Sequence, residues 1–412
     1  MQENSERAPT GHLRLLSSIA IALVCVTAAY YSLRLGYAEY LFRSGRPESM
    51  ARAATLSPLE ADYQVRTERL DRAVRLNPYL SGAWIELGMR AEAAGDFSRA
   101  EAALREATRV DRTFDPRWTL ANYYFRRQNW DEFWKWIRAA ADMSYGDRSA
   151  LFGLCWRATR DQEIILARAI PPDRHVLSAY VSYLAHSEHF QAAPAAAFHW
   201  LPLATKQDVP ALLELCDLLL QKTPATPEAL RIWNAFIERG WLPYQRLDPA
   251  GGASLTNGAF RISPLSHGFD WRLPSAPGVR ALWTESPLGL SIALDGHQEE
   301  RTDLLVEWMP VLASSAYELS TLARAEDIAA GSGLRWRIVD AVSGAVLGEA
   351  ELEVPTTKLR FETFSQGSLV KLVLGYRRAP GTSLVTGRLT LSSLALERLD
   401  RQHGSDDKHP NR

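Results

Sequence analysis

The spacing of hydrophobic positions along the chain passes through three regimes: an unbroken apolar run, then a helical period, then strict alternation. The first is Leu15 to Leu33, which contains no charge. A helix needs about 20 apolar residues to cross roughly 30 Å of hydrocarbon, and this run reaches that length. Arg14 and Arg34 bracket it, and Tyr30, Tyr31 and Tyr37 suit an interfacial belt at its distal end. A cleaved signal peptide is the rival reading, with Val26 and Ala28 as its small-residue cleavage site. Against it, the apolar run continues past Ala28, and Glu3, Glu6 and Arg7 mix charges in the leading flank. The pattern predicts a transmembrane helix over 13–36 behind a disordered tail, 1–12.

From about 40 to 245 the spacing is helical, and it carries an internal repeat. Trp84-x-x-Leu87-Gly88-x-x-Ala91, Gly95 and Ala100-x-x-x-Leu104-x-x-Ala107 match the tetratricopeptide pattern. Adding 34 to each position gives Trp118-x-x-Ala121-Asn122-x-x-Phe125, then Asn129, Trp134 and Ala141, and Phe152 falls another 34 residues on. Leu70, Ala73 and Pro78 preserve the second helix of the preceding unit. Each such unit is a helix pair that cannot bury its apolar face alone, so neighbours stack. Trp84 and Trp118 read as packing residues, and Gly95 and Asn129 as turns that require positive φ. After Phe152 the grammar fades, but helices are still predicted at 176–185, 192–203, 210–221 and 227–239. The last has Thr226 as N-cap, Pro227 at its first position and Gly240 as its stop.

Pro249, Gly251 and Gly252 break the helical period, which marks 246–256 as a linker. Alternation of period two then takes over. Leu290, Ile292 and Leu294 share a face, as do Leu334, Trp336 and Ile338, and then Val370, Leu372, Leu374 and Tyr376. Ala350, Leu352 and Val354 alternate with Glu349, Glu351 and Glu353. Leu389 and Leu391 change phase to Leu394 and Leu396, which predicts a β-bulge at Ser392–Ser393. About eight short strands over 257–399 read as a two-sheet sandwich or jelly roll, followed by a disordered charged tail, 400–412.

Composition narrows the function classes. A formal net charge of −1 and the lack of a basic stripe give no reason to expect nucleic acid. The 13 tryptophans fit either cores or flat binding surfaces. Three cysteines make no disulfide framework; Cys155 and Cys216 read as buried helical thiols, with a bridge between them left open. His186, His189 and His199 have no metal-site spacing. Glu299–Glu300 and Asp406–Asp407 are adjacent pairs outside any cleft motif, and neither a nucleophile elbow nor a phosphate loop occurs. No enzyme activity, metal or cofactor is therefore expected. Between Tyr123 and Trp136 aromatic and arginine residues are denser than one helix pair needs for its core. Tyr123, Arg126 and Arg127 are the candidates to line a concave groove that holds a protein partner.

Asn257-Gly258-x-Phe260 and Gly268-Phe269-Asp270-Trp271 resemble the first strands of carbohydrate-binding-module-like jelly rolls. Tyr317-x-Leu319-Ser320-x-x-Ala323-Arg324, Gly333-Leu334-x-Trp336 and Leu372-x-Leu374-x-Tyr376-Arg377-Arg378 match as well. The whole arrangement is similar to bacterial membrane-anchored tetratricopeptide-repeat proteins associated with exopolysaccharide biosynthesis. That resemblance implies glycan binding by the sandwich. Trp271 and Trp283, in loop-rich stretches, are then the expected exposed platforms, and Arg335 and Arg337, facing away from Trp336, the polar readers. No acidic calcium site of the kind such modules carry can be assembled. The resemblance also implies a single-pass inner-membrane protein with its C-terminal domains outside the cytoplasm. The flanking charges, Arg7 and Arg14 before the span against Arg34, Arg43, Arg46 and Arg52 after it, point the other way. They suit a cytoplasm-facing adaptor whose sandwich is purely structural.

Overall fold

The computed structural model describes residues 10–399 except 144, 223, 224, 274 and 287, with side chains from Leu15 onward. The expected tails therefore lie outside the described residues, apart from the helical backbone at 10–12. The chain divides into two compact units, Met1–Pro171 and Pro172–Arg412.

The first unit opens with α1, Thr10–Arg43, a helix of 34 residues. At 1.5 Å per residue it is about 50 Å long. Its apolar stretch is long enough to cross a membrane, and none of that stretch is buried against protein. The helix then continues into packed structure. Ala38 and Leu41 are buried against α2 (Pro47–Leu56) and α3 (Ala61–Arg66). Tyr63 donates to Glu39 at 2.7 Å and lays its ring on Phe42, with centroids 4.4 Å apart.

α4 (Leu70–Leu76) leads into two long helix pairs, α5 (Ser81–Ala93) with α6 (Phe97–Val110) and α7 (Phe114–Arg126) with α8 (Trp130–Met143). α9 (Ser149–Ala158) and α10 (Gln162–Arg168) complete the unit. Gly88 shows how closely a pair packs: a Cβ there would stand 2.6 Å from Leu104 Cγ. Only the residue without a side chain allows that approach.

The repeat step shortens by one residue between these pairs. The turn glycine Gly95 has φ +79°, and its counterpart is Gln128 at φ +54°, not Asn129. Asn129 instead occupies the place of Asp96. The Asp96 N–H bonds to Ala91 O and the Asn129 N–H to Tyr124 O, and each side chain accepts an N–H three residues on, from Arg99 and Glu132. Leu87 and Gly88 therefore correspond to the buried Leu120 and Ala121, a step of 33.

The second unit begins with α11 (Arg174–Ala185), α12 (Ala193–Trp200), α13 (Val209–Lys222) and α14 (Thr226–Glu238). Asp173 caps α11 by accepting from the N–H groups of His175 and Val176. Thr226 stands inside α14, with Ala225 as the N-cap. Among the described residues nine strands follow: β1 (Val279–Glu285), β2 (Leu288–Asp295), β3 (Arg301–Pro310), β4 (Ala316–Glu326), β5 (Leu334–Asp340), β6 (Val346–Glu351), β7 (Thr356–Glu362), β8 (Leu369–Arg377) and β9 (Thr386–Leu399). They form two antiparallel sheets, ordered β1-β2-β9-β4-β7 and β3-β8-β5-β6. Except for the β1–β2 and β5–β6 hairpins, each strand crosses to the other sheet, which gives the sandwich its single core around Trp336, Tyr317, Tyr376 and Trp271. The phase change in β9 is a bulge: Leu322 pairs with Ser393 and Ala323 with Leu391, leaving Ser392 over.

The segment 246–256 is a strap tied into the unit. Asn234 of α14 brackets Leu247 with both amide atoms, at 2.9 and 3.0 Å, and Asp248 and Ala253 exchange backbone bonds. Ser254 and Thr256 are buried.

Candidate functional site

The three residues expected in the repeat groove are engaged inside the first unit. Tyr123 is 3% exposed, and its hydroxyl donates to Phe97 O at 2.9 Å. Arg126 forks onto Glu92 at 2.8 and 2.6 Å. The Arg127 guanidinium lies 3.8 Å over the Phe97 ring. At the step of 33 Tyr123 corresponds to the exposed Arg90; its burial comes from the ring's reach across to α6 and against Tyr124, with centroids 5.3 Å apart. Tyr124, Phe133 and Trp134 also belong to the core, and Tyr124 donates to Glu101 at 2.8 Å. The aromatic excess of this stretch is mostly packing.

In the sandwich, Trp271 is a correction to the expectation of exposure. It is 0% exposed and packs on Phe260 with centroids 5.4 Å apart. A sugar-stacking ring must show a face to solvent, and this one shows none. Trp283 is half-buried, and its Nε1 donates to Phe260 O at 2.6 Å. Arg335 and Arg337 do stand on the outer face of the four-stranded sheet, paired with Glu349 and Asp303 at 2.6 Å each. Gly375 lies beneath the second pair, where a Cβ would come 3.3 Å from the Arg337 guanidinium. Trp308 was missed in the sequence. It faces Lys371 on this same surface and is partly exposed, with the ammonium 5.8 Å from its ring. The run of buried residues from Leu304 to Glu307 hides the alternation that would have flagged it.

A part-buried polar cluster joins α13 and α14 to the sandwich within the second unit. Asp217 of α13 takes three donors from the strap before β1: Arg272 Nη2 at 2.5 Å, His267 Nδ1 at 2.6 Å and Gly268 N at 2.7 Å. His267 carries its proton on Nδ1 because that nitrogen faces a carboxylate. Gly268, at φ +58°, has Trp233 of α14 2.4 Å from where a Cβ would stand, so the indole closes against bare backbone. Arg272 also pairs its backbone with Val306 of β3. Asp270 accepts from the Tyr244 hydroxyl at 2.7 Å and from Leu265 N at 2.5 Å. Glu307 accepts from Thr256 N at 2.9 Å.

Burial pushes the Asp270 carboxyl up, partly opposed by its hydrogen bonds. The same burial drives Glu307 well above the carboxylate range; the Thr256 N–H opposes it, Asp270 adds to it and Arg272 works against it. Both carboxyls have 0% exposure, so the cluster acts as a clamp between helices and sheet. Cys155 and Cys216 are buried free thiols, pushed up by the same desolvation. Among the described residues no three His, Cys, Asp or Glu side chains gather as a metal site; His186 faces Glu214 at 3.4 Å.

An N-terminal apolar helix, helical repeats and an antiparallel β-sandwich define a multidomain protein. No protein-family model and no curated protein sequence matches the chain. Among solved structures it is similar to one titled "CBM4 structure and function", at 12% identity and a TM-score of 0.28, over 35% of this chain and 100% of that one. A chain of the accessory secretory protein 1, 2 and 3 structure from Streptococcus pneumoniae is similar at 13% identity and 0.22, over 30% and 87%. A chain of the APC/C hetero-tetramer Cut9–Hcn1 is similar at 15% identity and 0.24, over 50% and 47%. Likenesses this distant carry no argument about what the chain binds.

Proposed function

We propose that this chain is a non-catalytic scaffold tethered to the inner membrane by α1, with its repeats holding a protein partner and its sandwich contacting glycan outside the cytoplasm, in envelope or exopolysaccharide assembly. The observation that carries the tether is the continuity of α1. Its first half exposes an uncharged, mostly apolar surface from Leu15 to Leu33, and its second half is packed into the first helices of the repeat region. Water disfavours such a surface and lipid accepts it. The helix enters the packed region with no loop between, so the repeats are held at the bilayer surface. Glycan contact, on this reading, falls to the outer face of the four-stranded sheet, which carries the Trp308 ring and the planar Arg337–Asp303 and Arg335–Glu349 pairs.

Carbonate washing together with a phosphatase fused to the C-terminus tests the tether and its direction. The protein should stay with membranes and the phosphatase, active only outside the cytoplasm, should work. Release by carbonate sinks the tether; an inactive fusion on a retained protein turns the chain to the cytoplasm-facing adaptor that Arg34, Arg43, Arg46 and Arg52 favour. Glycan-array binding by the full chain in detergent tests the sheet face. Trp308→Ala should weaken it about tenfold, within the 1–2 kcal/mol of an exposed stacking contact. No binding to any neutral or acidic polysaccharide removes the glycan half.

A further inference from the structure

A groove of about 500 Å³ runs between α14 and α12 with the short turn that follows α12. Phe198, Leu201, Pro202 and Leu230 give it an apolar floor. Its rim is cationic: Arg231, Arg239 and Arg246 stand against a single acid, Glu238. Arg231 lies 4.0 Å over the Phe198 ring and Arg239 4.9 Å over the Trp241 ring. Neither has a carboxylate partner among the described residues. Arg246 meets Glu238 only at 3.6 Å. Stacking on an aromatic face holds a guanidinium flat and leaves its N–H edge turned outward, a geometry suited to carboxylates.

The one neutral amide side chain in the lining, Asn234, is already engaged with Leu247 through both its nitrogen and its oxygen. The polar groups of the rim are charged, three arginines against one carboxylate, so a neutral sugar chain would leave that charge unmatched. An occupant must bring apolar side chains for the floor and carboxylates for the rim. The chain's own end, 400–412, contains no Leu, Ile, Val or Phe and does not meet that description.

We propose that this groove docks an extended acidic segment of a partner protein, with apolar side chains on the Phe198–Leu230 floor and carboxylates on Arg231 and Arg239. The site lies outside the repeats of the first unit, so the inference stands apart from the repeat-partner reading and from the tether.

A random dodecamer display library is panned on the full chain in detergent micelles and counter-selected on the Arg231→Glu, Arg239→Glu double variant. Both arginines are exposed, and circular dichroism of the variant should match the parent. Peptides retained by the parent alone should combine Asp or Glu with Leu or Phe. An enriched peptide should lose about tenfold or more in affinity to the variant, as charge-assisted contacts do, and should weaken on the unmodified chain as salt is raised. Failure to recover any peptide that separates parent from variant overturns the proposal, as does a recovered set without acidic residues. Polygalacturonate binding that is lost in the variant, with no such peptides, reassigns the groove to an acidic glycan.

Discussion

Glu307 stands where the alternation of β3 turns a side chain inward, opposite Leu372 on the core side of the sheet. A carboxylate at such a place is expensive unless it stays neutral, and burial does raise its proton affinity. The sign follows from linkage. With the folded pKa above the unfolded value of about 4.3, the group's contribution is fully present below that value and is lost as pH rises through the folded pKa. Glu307→Gln keeps an acceptor for the Thr256 N–H and cannot ionise. Thermal unfolding at about pH 7 should therefore show the variant more stable by on the order of 1 kcal/mol, and at about pH 4 the two should coincide. A variant less stable than the parent at about pH 7, with the difference shrinking toward about pH 4, would show instead that the carboxylate is favourably ionised in the fold. Trp271 belongs at this scale too. Its flanking Gly268 and Asp270 read as an exposed loop, yet the glycine is there for Trp233 to close against and the aspartate for Tyr244 to donate to.

At the scale of elements, a helix pair is specified by small residues at fixed spacing, and Gly88, Ala91, Ala100 and Ala107 were readable as such. The register of the next pair was not. Trp118 resembles Trp84 at a step of 34, but the turn at Gln128 closes one residue early. Tyr123 left the expected groove for another reason: its ring is long enough to reach Phe97 of α6. The strand regime was more legible, because period two survives unless a bulge intervenes; β9 announced its bulge, and β3 concealed its outward Trp308. The helices α11–α14 carry the next prediction. They form one unit with the sandwich through Asp217, Trp233 and Asn234. A fragment of residues 172–399 should unfold cooperatively at a higher urea concentration than one of 257–399, which loses the Asp217 partner of Arg272 and exposes Phe269. Baring one large apolar side chain such as Phe269 alone costs about 1.5–3 kcal/mol. Equal urea midpoints would mean that the sandwich owes the helices nothing.

At the scale of the molecule, the apolar helix, the helical repeats and the sandwich follow one another in the order that three spacings of hydrophobic residues announce. The proposed tether depends on a feature that spans two of them. α1 spends its first half on the apolar run and its second on Ala38, Leu41 and the Glu39–Tyr63 bond. A flexible linker there would leave the repeats free to turn; a continuous helix fixes their height and facing. Retention and direction in the membrane are thus separate questions: carbonate washing answers the first and the phosphatase fusion the second.

Local rules determined what the sequence could announce by itself: where apolar residues run, repeat or alternate, and so which elements form and in what order. Periodicity is a property of neighbours a few residues apart, and it is visible without the fold. The tertiary structure alone decided which unit α11–α14 belong to, how the 246–256 strap is tied, and which aromatic and arginine side chains are used up inside. Those outcomes depend on partners far along the chain, such as Asp217 with Arg272 or Glu307 with Thr256. The arginine-rimmed groove beside α14 is of the same kind. Phe198, Arg231 and Arg246 become a surface only when two helices and a strap meet.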